Sequence, residues 1–244
     1  MNSEPGIIDP VISLRNVVAR AGRFPVLAGI DLDVNPRERV LVQGPNGAGK
    51  TSLLRVVAGL LPVSSGVATV LGHDLGAGPG SASSAGPGSE PRGGVNQRAQ
   101  RRAVRASIGY LAHSTGLYDD LTAADNVRFW AQACRVPASD AEAAMDRVEL
   151  AQRLRSVPVK RLSTGQRRRV SLAATIVRRP RLWLLDEPHA GLDTAGRDLV
   201  DGLIVAASEA GATVMFASHD LDRAVAVSTR IVSLSGGTVV ADAA

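Results

Sequence analysis

Short apolar segments separated by polar stretches recur along the chain, and their spacing predicts alternating strands and helices. Alternation of apolar and polar positions predicts strands at 12–18 and 30–34, and another strand follows at 67–71. Residues 39–43 are a short apolar run that leads into a glycine-rich loop, and residues 51–60 follow with the pattern of a helix. This order of strand, loop and helix is the context in which phosphate-binding loops occur.

The second half of the chain continues the alternation. The elements predicted there are strands at 108–112, 181–185 and 213–217, helices within 121–154 and over 163–177, and a C-terminal hairpin of strands 231–234 and 238–241. Pro137 interrupts the first helical region, and Pro180 ends the second. Strands that alternate with helices indicate an α/β fold with a parallel sheet.

One segment has a different character. Residues 76–94 are rich in Gly, Ser, Ala and Pro, so they cannot bury enough apolar surface to offset the entropy lost on ordering. We therefore expect a flexible surface insertion over 76–97, followed by a short basic helix over 97–105. A tether to a regulatory partner or to a membrane is the functional alternative for this insertion.

The amino-acid composition limits the possible classes of protein but does not identify a function. A chain of 244 residues fits a single domain over 1–244, with the insertion included. An aromatic share of only 3% means that the core is built from Ala, Val, Leu and Ile, as in buried parallel strands. The single cysteine, Cys134, excludes an intrachain disulfide and favours a reducing compartment. We also expect neither a membrane span nor a signal peptide, since neither apolar pattern occurs.

The chain is basic, with a formal net charge of +5. Basic proteins often bind nucleic acids or anionic membrane surfaces, and local clusters of arginine occur within 98–105 and at 167–169. No nucleic-acid recognition motif accompanies these clusters, so we do not expect a nucleic-acid partner.

The glycine-rich loop carries the strongest chemical signal. It fits the pattern G-x-x-x-x-G-K-[ST] of phosphate-binding P-loops, and with the next residue it comprises Gly44, Pro45, Asn46, Gly47, Ala48, Gly49, Lys50, Thr51 and Ser52. Its glycines let backbone N–H groups approach phosphate oxygens, and the following helix adds its positive N-terminal end. Lys50 supplies a compact ammonium where a planar guanidinium would not fit, and Thr51 offers a hydroxyl to Mg²⁺. Only Lys50 and Lys160 are lysines among the 28 lysines and arginines, so a lysine at this position is unusual for this chain.

Two adjacent carboxylates, Asp186 and Glu187, follow the apolar strand at 181–185. The carboxyl ends of strands are where α/β sheets place ligands. Because successive strand side chains point to opposite sides, we expect different roles for the two carboxylates. Asp186 is expected to act on Mg²⁺, and Glu187 to polarise the water that attacks the phosphate.

The sequence Leu162-Ser163-Thr164-Gly165-Gln166 precedes that strand and starts a predicted helix. By itself it is an ordinary helix N-cap, whose hydroxyl and exposed N–H groups form an anion site. Together with the P-loop and the carboxylates it resembles the LSGGQ signature of ABC transporter nucleotide-binding subunits, with Thr164 where the first signature glycine usually stands. The resemblance implies a P-loop NTPase fold of the ABC type, with a RecA-like core, an antiparallel β subdomain and an α-helical subdomain. It also implies that Ser163, Thr164, Gly165 and Gln166 bind the γ-phosphate held by a second subunit.

Two further segments resemble motifs of this family, and they occur in the same order along the chain as in the family. Residues 190–193, which end with Asp193, resemble the D-loop that crosses the dimer interface in this family. His219 follows a predicted strand and resembles the switch histidine that senses the γ-phosphate. The resemblance therefore implies catalytic roles for Lys50, Glu187 and His219, with ATP and Mg²⁺ as cofactors.

Two positions depart from the family pattern. His113 holds the place of the Q-loop glutamine, and its ring could still hydrogen-bond a γ-phosphate-linked water or bind a metal. Ser114 takes this place if the register slips by one. The aromatic residue that stacks on adenine is also missing from its usual place near Ala21. Arg20 or Phe24 could stack there, although a core position for Phe24 is at least as good an interpretation.

The family assembles in a way that one chain cannot complete. In it, two copies close head to tail around two ATP molecules, so the resemblance implies a homodimer on ATP binding. It further implies integral membrane permease subunits as partners and a peripheral location on the cytoplasmic face of the membrane. The helical subdomain at 116–160 would face the permease, while Phe129 and Trp130 are more typical of its core.

Short segments indicate a subgroup. His113 within the stretch 111–122, together with the segments 125–129 and 46–55, resembles the ATPase of the haem exporter and cytochrome c maturation group, which implies work on haem handover. ATPases of drug, lipid or polysaccharide exporters share most of these residues. A soluble ABC ATPase acting on nucleic acid or ribosomes is a different alternative, but such members usually carry two ATPase halves or long coiled coils, which this chain lacks.

Overall fold

Ten strands in two sheets and eight α-helices make up the part of the chain that the computed structural model describes, which is residues 9–76, 94–112 and 114–243. The strands are β1 (Ile12–Ala21), β2 (Phe24–Val34), β3 (Arg39–Gln43), β4 (Val63–Val70), β5 (His73–Asp74), β6 (Ile108–Leu111), β7 (Leu182–Asp186), β8 (Thr213–Ala217), β9 (Arg230–Ser235) and β10 (Thr238–Ala243). The helices are α1 (Lys50–Val57), α2 (Gly94–Ser107), α3 (Ala123–Ala133), α4 (Ala138–Arg147), α5 (Gln152–Arg155), α6 (Thr164–Ile176), α7 (Thr194–Glu209) and α8 (Leu221–Val227). Each element predicted from the sequence is present, and β5, α7 and α8 are additional.

The N-terminal strands form an antiparallel sheet with the order β2-β1-β4-β5. Strand β1 pairs with both β2 and β4, and its alternate residues Ile12 and Leu14 are fully buried. The strand predicted at 30–34 is the end of a longer one, because pairing with β1 extends β2 back to its first residue. This pairing overrides Pro25 and Gly29, which interrupt the alternating pattern in the sequence.

The larger sheet has the order β10-β9-β3-β8-β7-β6, and its neighbours are parallel except for the hairpin of β9 and β10. Strands β7 and β8 are buried at every position, which explains their continuous apolar sequences. The segments that follow β3, β8, β7 and β6 leave the same edge of this sheet. The edge therefore brings the P-loop, His219, Glu187 and Ala112 together from distant parts of the chain.

The larger sheet separates two apolar cores. Alternate residues of β3 show the division, since Val40 and Val42 pack into one core and Leu41 into the other. The first core is shared with the antiparallel sheet and α1, and the second with α3, α4, α6 and α7. A slip of one residue would exchange the two sets of side chains, so packing on both faces fixes the register of the strand ends that carry the site.

The buried residues of helix α7 recur at helical spacing, as Val200, Leu203 and Ala207 do. The helix begins after Asp193, whose carboxylate accepts the Gly196 N–H at 2.9 Å. Val200 and Ile204 are fully buried in the second core. An apolar stripe at helical spacing and an N-cap therefore both define this helix.

Helix α2 begins earlier than predicted. It starts at Gly94 rather than at residue 97, so residues 94–97 belong to the helix and not to the predicted flexible insertion. The rest of that insertion falls mainly on residues 77–93, which lie outside the described residues. Within the described part of the chain, no helix is both long and apolar enough to cross a membrane.

Candidate active site

The P-loop connects β3 to α1 and packs tightly against neighbouring backbone. Gly44, Gly47 and Gly49 have positive φ angles of 145°, 80° and 105°, which only glycine adopts readily. Two of them also lack room for a side chain. A Cβ on Gly44 would lie 2.2 Å from the Leu234 carbonyl oxygen, and a Cβ on Gly49 would lie 2.8 Å from the Val26 carbonyl oxygen. These glycines let the loop close directly onto the N-terminus of α1, where the helix dipole favours an anion.

Lys50 is the first residue of α1 and is only 9% exposed. Its ammonium donates to the carbonyl oxygens of Gly44 at 2.7 Å and Pro45 at 3.1 Å. These contacts use two of its three N–H donors and hold the charge against the inside of the loop. A cation in this place is suited to bind the phosphates of a nucleotide.

Thr51 and Asp186 join the P-loop to the end of β7. The Thr51 hydroxyl lies 2.9 and 3.2 Å from the two carboxylate oxygens of Asp186, a residue that is 4% exposed. Both are hard oxygen ligands of the kind that Mg²⁺ prefers, and Mg²⁺ commonly takes few ligands from the protein and the others from phosphates and water. Among the described residues, no group of three or more His, Cys, Asp and Glu side chains could hold a metal ion. The donor set therefore fits a Mg²⁺ ion that arrives with a nucleotide.

Glu187 lies just beyond β7, with a φ of 51° that is unusual for a residue other than glycine. Its N–H donates to the Ala217 carbonyl oxygen at 2.9 Å, and its carboxylate accepts the His219 backbone N–H at 3.0 Å. The His219 ring nitrogen Nε2 is 3.3 Å from the other carboxylate oxygen. Because the chain turns out of the strand here, Glu187 lines the same cleft as Asp186, and different partners distinguish the two carboxylates rather than opposite strand faces.

These residues surround a cleft of about 560 Å³ at the carboxyl edge of the larger sheet. Its lining consists of Val26, Asn46, Gly47, Ala48, Gly49, Lys50, Thr51, Ser52, Asp186, Glu187, Ala190 and His219. Gly44 and Pro45 lie outside this lining and contribute through their carbonyl contacts to Lys50. The structure thus brings most of the P-loop, both carboxylates and His219 to one place.

One end of the cleft is formed by Val26, on the β1–β2 hairpin. Phe24, two residues earlier on β2, is 78% exposed, so its interpretation as a core residue is wrong. It pairs with Ala21 across the hairpin, and Arg20 pairs with Pro25. An exposed aromatic ring close to the lining of the cleft is available to stack on a flat ligand.

The segment 162–166 does not line this cleft and instead forms the N-terminus of α6. Ser163 and Gln166 make a capping box there. The Ser163 hydroxyl accepts the Gln166 N–H at 3.3 Å, and the Gln166 side chain accepts the Ser163 N–H at 3.0 Å. The prediction that Ser163 caps this helix is confirmed.

Thr164 and Gly165 contact the loop at 190–193. A Cβ on Gly191 would lie 2.7 Å from the Thr164 methyl carbon, and a Cβ on Gly165 would lie 2.9 Å from the Gly191 carbonyl oxygen. Thr164, which departs from the LSGGQ pattern, fits because Gly191 has no side chain. Asp193 caps α7 and, like the signature segment, does not line the cleft.

Arg168 is a site residue that the sequence marks only as part of a basic cluster. It is 3% exposed, and its guanidinium donates to the carbonyl oxygens of Ala112 and Glu187, each at 2.8 Å. The other two arginines of the cluster at 167–169 also donate to backbone carbonyl oxygens of this chain. All three arginines of this cluster therefore make hydrogen bonds that stabilise the fold.

His189 is a second buried residue that sequence reasoning passed over. It is 4% exposed, and its Nε2 lies 2.9 Å from an Asp201 carboxylate oxygen. Its Nδ1 lies 3.4 Å from the Ser218 hydroxyl, next to His219. Its position two residues after Glu187 is the only signal that the sequence offers.

His113, the residue predicted at the Q-loop position, lies outside the described residues. Ser114, the alternative, is exposed. The following residue is held by α6, because the Ser171 hydroxyl donates to the Thr115 carbonyl oxygen at 2.9 Å.

Aromatic side chains line up on the helical part of the molecule. The ring centroids of Tyr118 and Phe129 are 5.3 Å apart and those of Phe129 and Trp130 are 5.5 Å apart, both pairs edge to face. The Arg178 guanidinium lies 4.6 Å from the Trp130 ring centroid. Phe129 is 41% exposed, so its interpretation as a core residue is wrong, whereas Trp130 is partly buried.

Comparison with known proteins shows which family this chain resembles. The family model described as ABC transporter matches residues 27–190. The chain is similar to the cytochrome c biogenesis ATP-binding export protein CcmA of Nitrosomonas europaea, with 34% identity over 221 residues that cover 90% of this chain and 92% of the relative. It is also similar to the Nod factor export ATP-binding protein I of Azorhizobium caulinodans, with 32% identity in an alignment of length 252 that covers 99% of this chain and 70% of the relative.

A solved structure supports the fold. It is an ATP-binding cassette in a dimeric, post-hydrolysis state bound to ADP and Pi. The two structures align with a TM-score of 0.77 over 95% of this chain and 97% of the other, at 23% identity. The predicted fold class, an α/β P-loop NTPase of the ABC type, is confirmed.

Proposed function

Because this chain belongs to the ABC transporter family, whose ATP-binding cassettes are ATPases, we propose that it hydrolyses ATP to drive a separate membrane permease. The observation that carries this proposal is the convergence of three contacts on one cleft: Lys50 on the P-loop carbonyls, Thr51 on Asp186, and Glu187 on His219. Each contact joins groups that ATP hydrolysis needs, which are a phosphate-binding cation, oxygen ligands for Mg²⁺ and a base beside a histidine.

The nucleotide's phosphates are proposed to bind on the P-loop. Within the described residues the Lys50 ammonium has two acceptors, so its third N–H can donate to a phosphate oxygen, and the N-terminus of α1 adds the positive end of its dipole. Phe24 is the proposed stacking residue for the base, because its exposed ring lies two residues from Val26 of the cleft. Thr51 and Asp186 would hold Mg²⁺, which neutralises phosphate charge when bound.

In the proposed reaction, a water oxygen bonds to the γ-phosphorus while the bond to the ADP oxygen breaks, and ADP leaves with the electron pair. Glu187 orients and polarises this water, because its carboxylate faces the cleft. The His219 backbone N–H and ring both contact the Glu187 carboxylate, so His219 holds the base in place and brings its ring beside the γ-phosphate. Lys50 stabilises the negative charge on the transferring phosphoryl group.

The signature segment gives the proposed site its second half. The Ser163 hydroxyl accepts a hydrogen bond in the capping box and so keeps its own O–H to donate to a phosphate. Since this segment does not line the cleft of its own chain, its nucleotide is proposed to be the one bound by a second copy. Two copies would then close head to tail around two ATP molecules, with Gln166 and Asp193 near the shared boundary.

Glu187→Gln tests this function directly. The substitution keeps the shape of the side chain and removes the charge that polarises water, so ATP should bind without being hydrolysed. We expect gel filtration with Mg²⁺ and ATP to show a stable dimer, and with ADP a monomer. Lys50→Ala in the same background is the matched control and should remain monomeric with ATP. A monomer at saturating ATP would contradict the proposed composite site.

For the cargo, we propose haem export or handover in cytochrome c biogenesis, with the subunit on the cytoplasmic face of the membrane. The proposal is supported by the CcmA relative, which matches this chain over nearly the full length of both proteins. Deletion of the gene should lower c-type cytochromes, measured by haem staining, and a Glu187→Gln copy should fail to restore them. Normal cytochrome levels in the deletion strain would reject this cargo and leave the ATPase proposal standing.

Export of another cargo is the second candidate. It is supported by the Nod factor export relative, whose match spans 99% of this chain. Purification from native membranes of the permease bound to this subunit, followed by ATPase assays with candidate cargo, separates the two. Stimulation by haem would favour the first candidate, and stimulation by a lipid, a polysaccharide or a drug would favour the second.

A further inference from the structure

The side chain of Arg168 lies where the signature helix meets the ends of two strands of the larger sheet. It belongs to α6, five residues after the cap residue Ser163. One terminal nitrogen donates to the Ala112 carbonyl oxygen and the other to the Glu187 carbonyl oxygen. These acceptors follow β6 and β7, two neighbouring strands of the larger sheet. A single side chain therefore ties the signature helix to two strand ends at the edge of the sheet that carries the cleft.

The setting of Arg168 is unusual for a charged residue. It is 3% exposed, and among the described residues it forms no ion pair with a carboxylate, so its two backbone carbonyls are its hydrogen-bonding partners. Burial lowers the pKa of the guanidinium, while the charges of Asp186 and Glu187 oppose this effect. A guanidinium is suited to this place because its two terminal nitrogens are held in one rigid plane and each donates to a different carbonyl oxygen, whereas an ammonium concentrates its donors on a single nitrogen.

The contact with Glu187 acts on a strained residue. Glu187 has a φ of 51°, in the left-handed region that residues other than glycine rarely adopt. Its peptide groups are held by the Arg168 guanidinium, by the Ala190 N–H at 3.1 Å, and by the Ala217 carbonyl oxygen at 2.9 Å. Of these three partners, only Arg168 reaches Glu187 from the signature helix. Its removal would leave the Glu187 carbonyl oxygen with the Ala190 N–H alone and so loosen the peptide that helps to fix the direction of the carboxylate.

We propose that Arg168 is a positioning residue that couples the two ATP sites of the dimer. This inference rests on the proposed function, in which Ser163 binds the ATP held by the second copy while Glu187 acts on the ATP held by its own. Arg168 connects these two groups within one chain. Seating of α6 on the second copy's nucleotide is then transmitted through Arg168 to the Glu187 carboxylate, so that ATP at one site promotes hydrolysis at the other.

The test compares Arg168→Gln and Arg168→Lys with Arg169→Gln. Arg169 is a matched control, since it donates to the Val148 carbonyl oxygen and to Glu149, away from the strand ends. For Arg168→Gln we expect kcat to fall about tenfold to a hundredfold, as for a misplaced catalytic group, with little change in KM. The Hill coefficient for ATP should fall from a value between 1 and about 2, the limit for two sites, to 1. Arg168→Lys should lie between wild type and Arg168→Gln, and Arg169→Gln should match wild type.

The dimer assay separates this inference from the function it rests on. In the Glu187→Gln background, Arg168→Gln should still form the ATP-bound dimer, because Ser163 and the P-loop are unchanged. Absence of that dimer in the Glu187→Gln protein itself would overturn the proposed function and this coupling with it. If the dimer forms, wild-type kcat and Hill coefficient in Arg168→Gln would overturn the coupling alone, as would a wild-type Hill coefficient of 1. If Arg168→Gln does not fold, Arg168→Lys decides, and unchanged kinetics in that variant count against the proposal.

Discussion

The cleft and the signature face, which is the surface at the N-terminus of α6 around residues 162–166, differ in one respect. A single chain brings the functional groups of the cleft into contact, whereas, among the described residues, it gives the signature face no ligand site of its own. In the cleft, functional groups contact one another: Thr51 meets Asp186, and Glu187 meets His219. At the signature face, the side chains of Ser163 and Gln166 each accept the backbone N–H of the other. The cleft is therefore a complete group of interacting side chains within one chain. The signature face has a fixed conformation, and its proposed ligand is bound by another copy.

The difference follows from how each region is built. The cleft groups follow adjacent parallel strands, so the register of the sheet places them side by side. The signature segment is a helix N-terminus in the helical part of the chain, and it packs on the loop at 190–193 instead of on the cleft. A group that is fixed but unused within one chain is the structural reason for proposing a second copy.

The largest expected effect comes from breaking the cleft. Lys50→Ala removes the cation that stabilises the transferring phosphoryl group, so phosphate release should fall by about 10²-fold or more. The thermal midpoint should fall as well, because the buried Lys50 ammonium holds two carbonyl oxygens of the loop, so circular dichroism at the assay temperature checks that the variant is folded. Activity above one tenth of the wild-type rate would show that the P-loop cation does not carry this role.

A smaller effect should come from the signature face, and only in the dimer. Ser163→Asp keeps a good N-cap but directs a carboxylate at the second copy's phosphate. Binding of a fluorescent nucleotide by the monomer should be unchanged, while ATP-driven dimerisation in the Glu187→Gln background should weaken at least about tenfold, since apposed like charges are repulsive. Ser163→Asn, which keeps the cap without the charge, is the control. If Ser163→Asp and Ser163→Asn dimerise equally, the signature face does not bind the second copy's phosphate, and its proposed difference from the cleft is wrong.

The smallest effect concerns the support of the signature face. Gly191→Ala would bring a Cβ to 2.7 Å from the Thr164 methyl carbon, at a φ of 74° that disfavours any side chain. We expect unfolding stability to fall by about 1–3 kcal/mol, measured by chemical denaturation. Thr164→Gly alone should be nearly neutral toward dimerisation, and adding it to Gly191→Ala should recover the part due to the clash. No recovery in the double variant would mean that backbone strain at Gly191 accounts for the whole loss.

Much of the fold was accessible from the sequence because its strands are buried on both faces. Continuous apolar runs such as those of β7 and β8 leave little ambiguity. Helix α7 was not predicted, although Asp193 is a favourable N-cap residue and Val200, Leu203 and Ala207 recur at helical spacing. The first part of β2 escaped prediction because it exists through pairing with β1.

For the site, short motifs identified the residues but not their arrangement. The P-loop and the adjacent carboxylates are local patterns, so the sequence contains them whole. The contacts of Arg168 join residues 56 and 19 positions away along the chain, and no local pattern encodes them. The exposure of Phe24 could not be predicted either, because it depends on the position of this residue at the turn of the β1–β2 hairpin.

The contacts of Lys50 mean that a nucleotide meets an ammonium that already has two partners in the loop. The ammonium already satisfies the carbonyl oxygens of Gly44 and Pro45, so the loop keeps its shape around an internal counter-charge. An incoming phosphate therefore competes with or adds to bonds that exist, and the affinity of the monomer reflects a difference between two bonded states. A subunit of this kind can release ADP without its empty loop collapsing, which suits a cycle that must reset after each turnover.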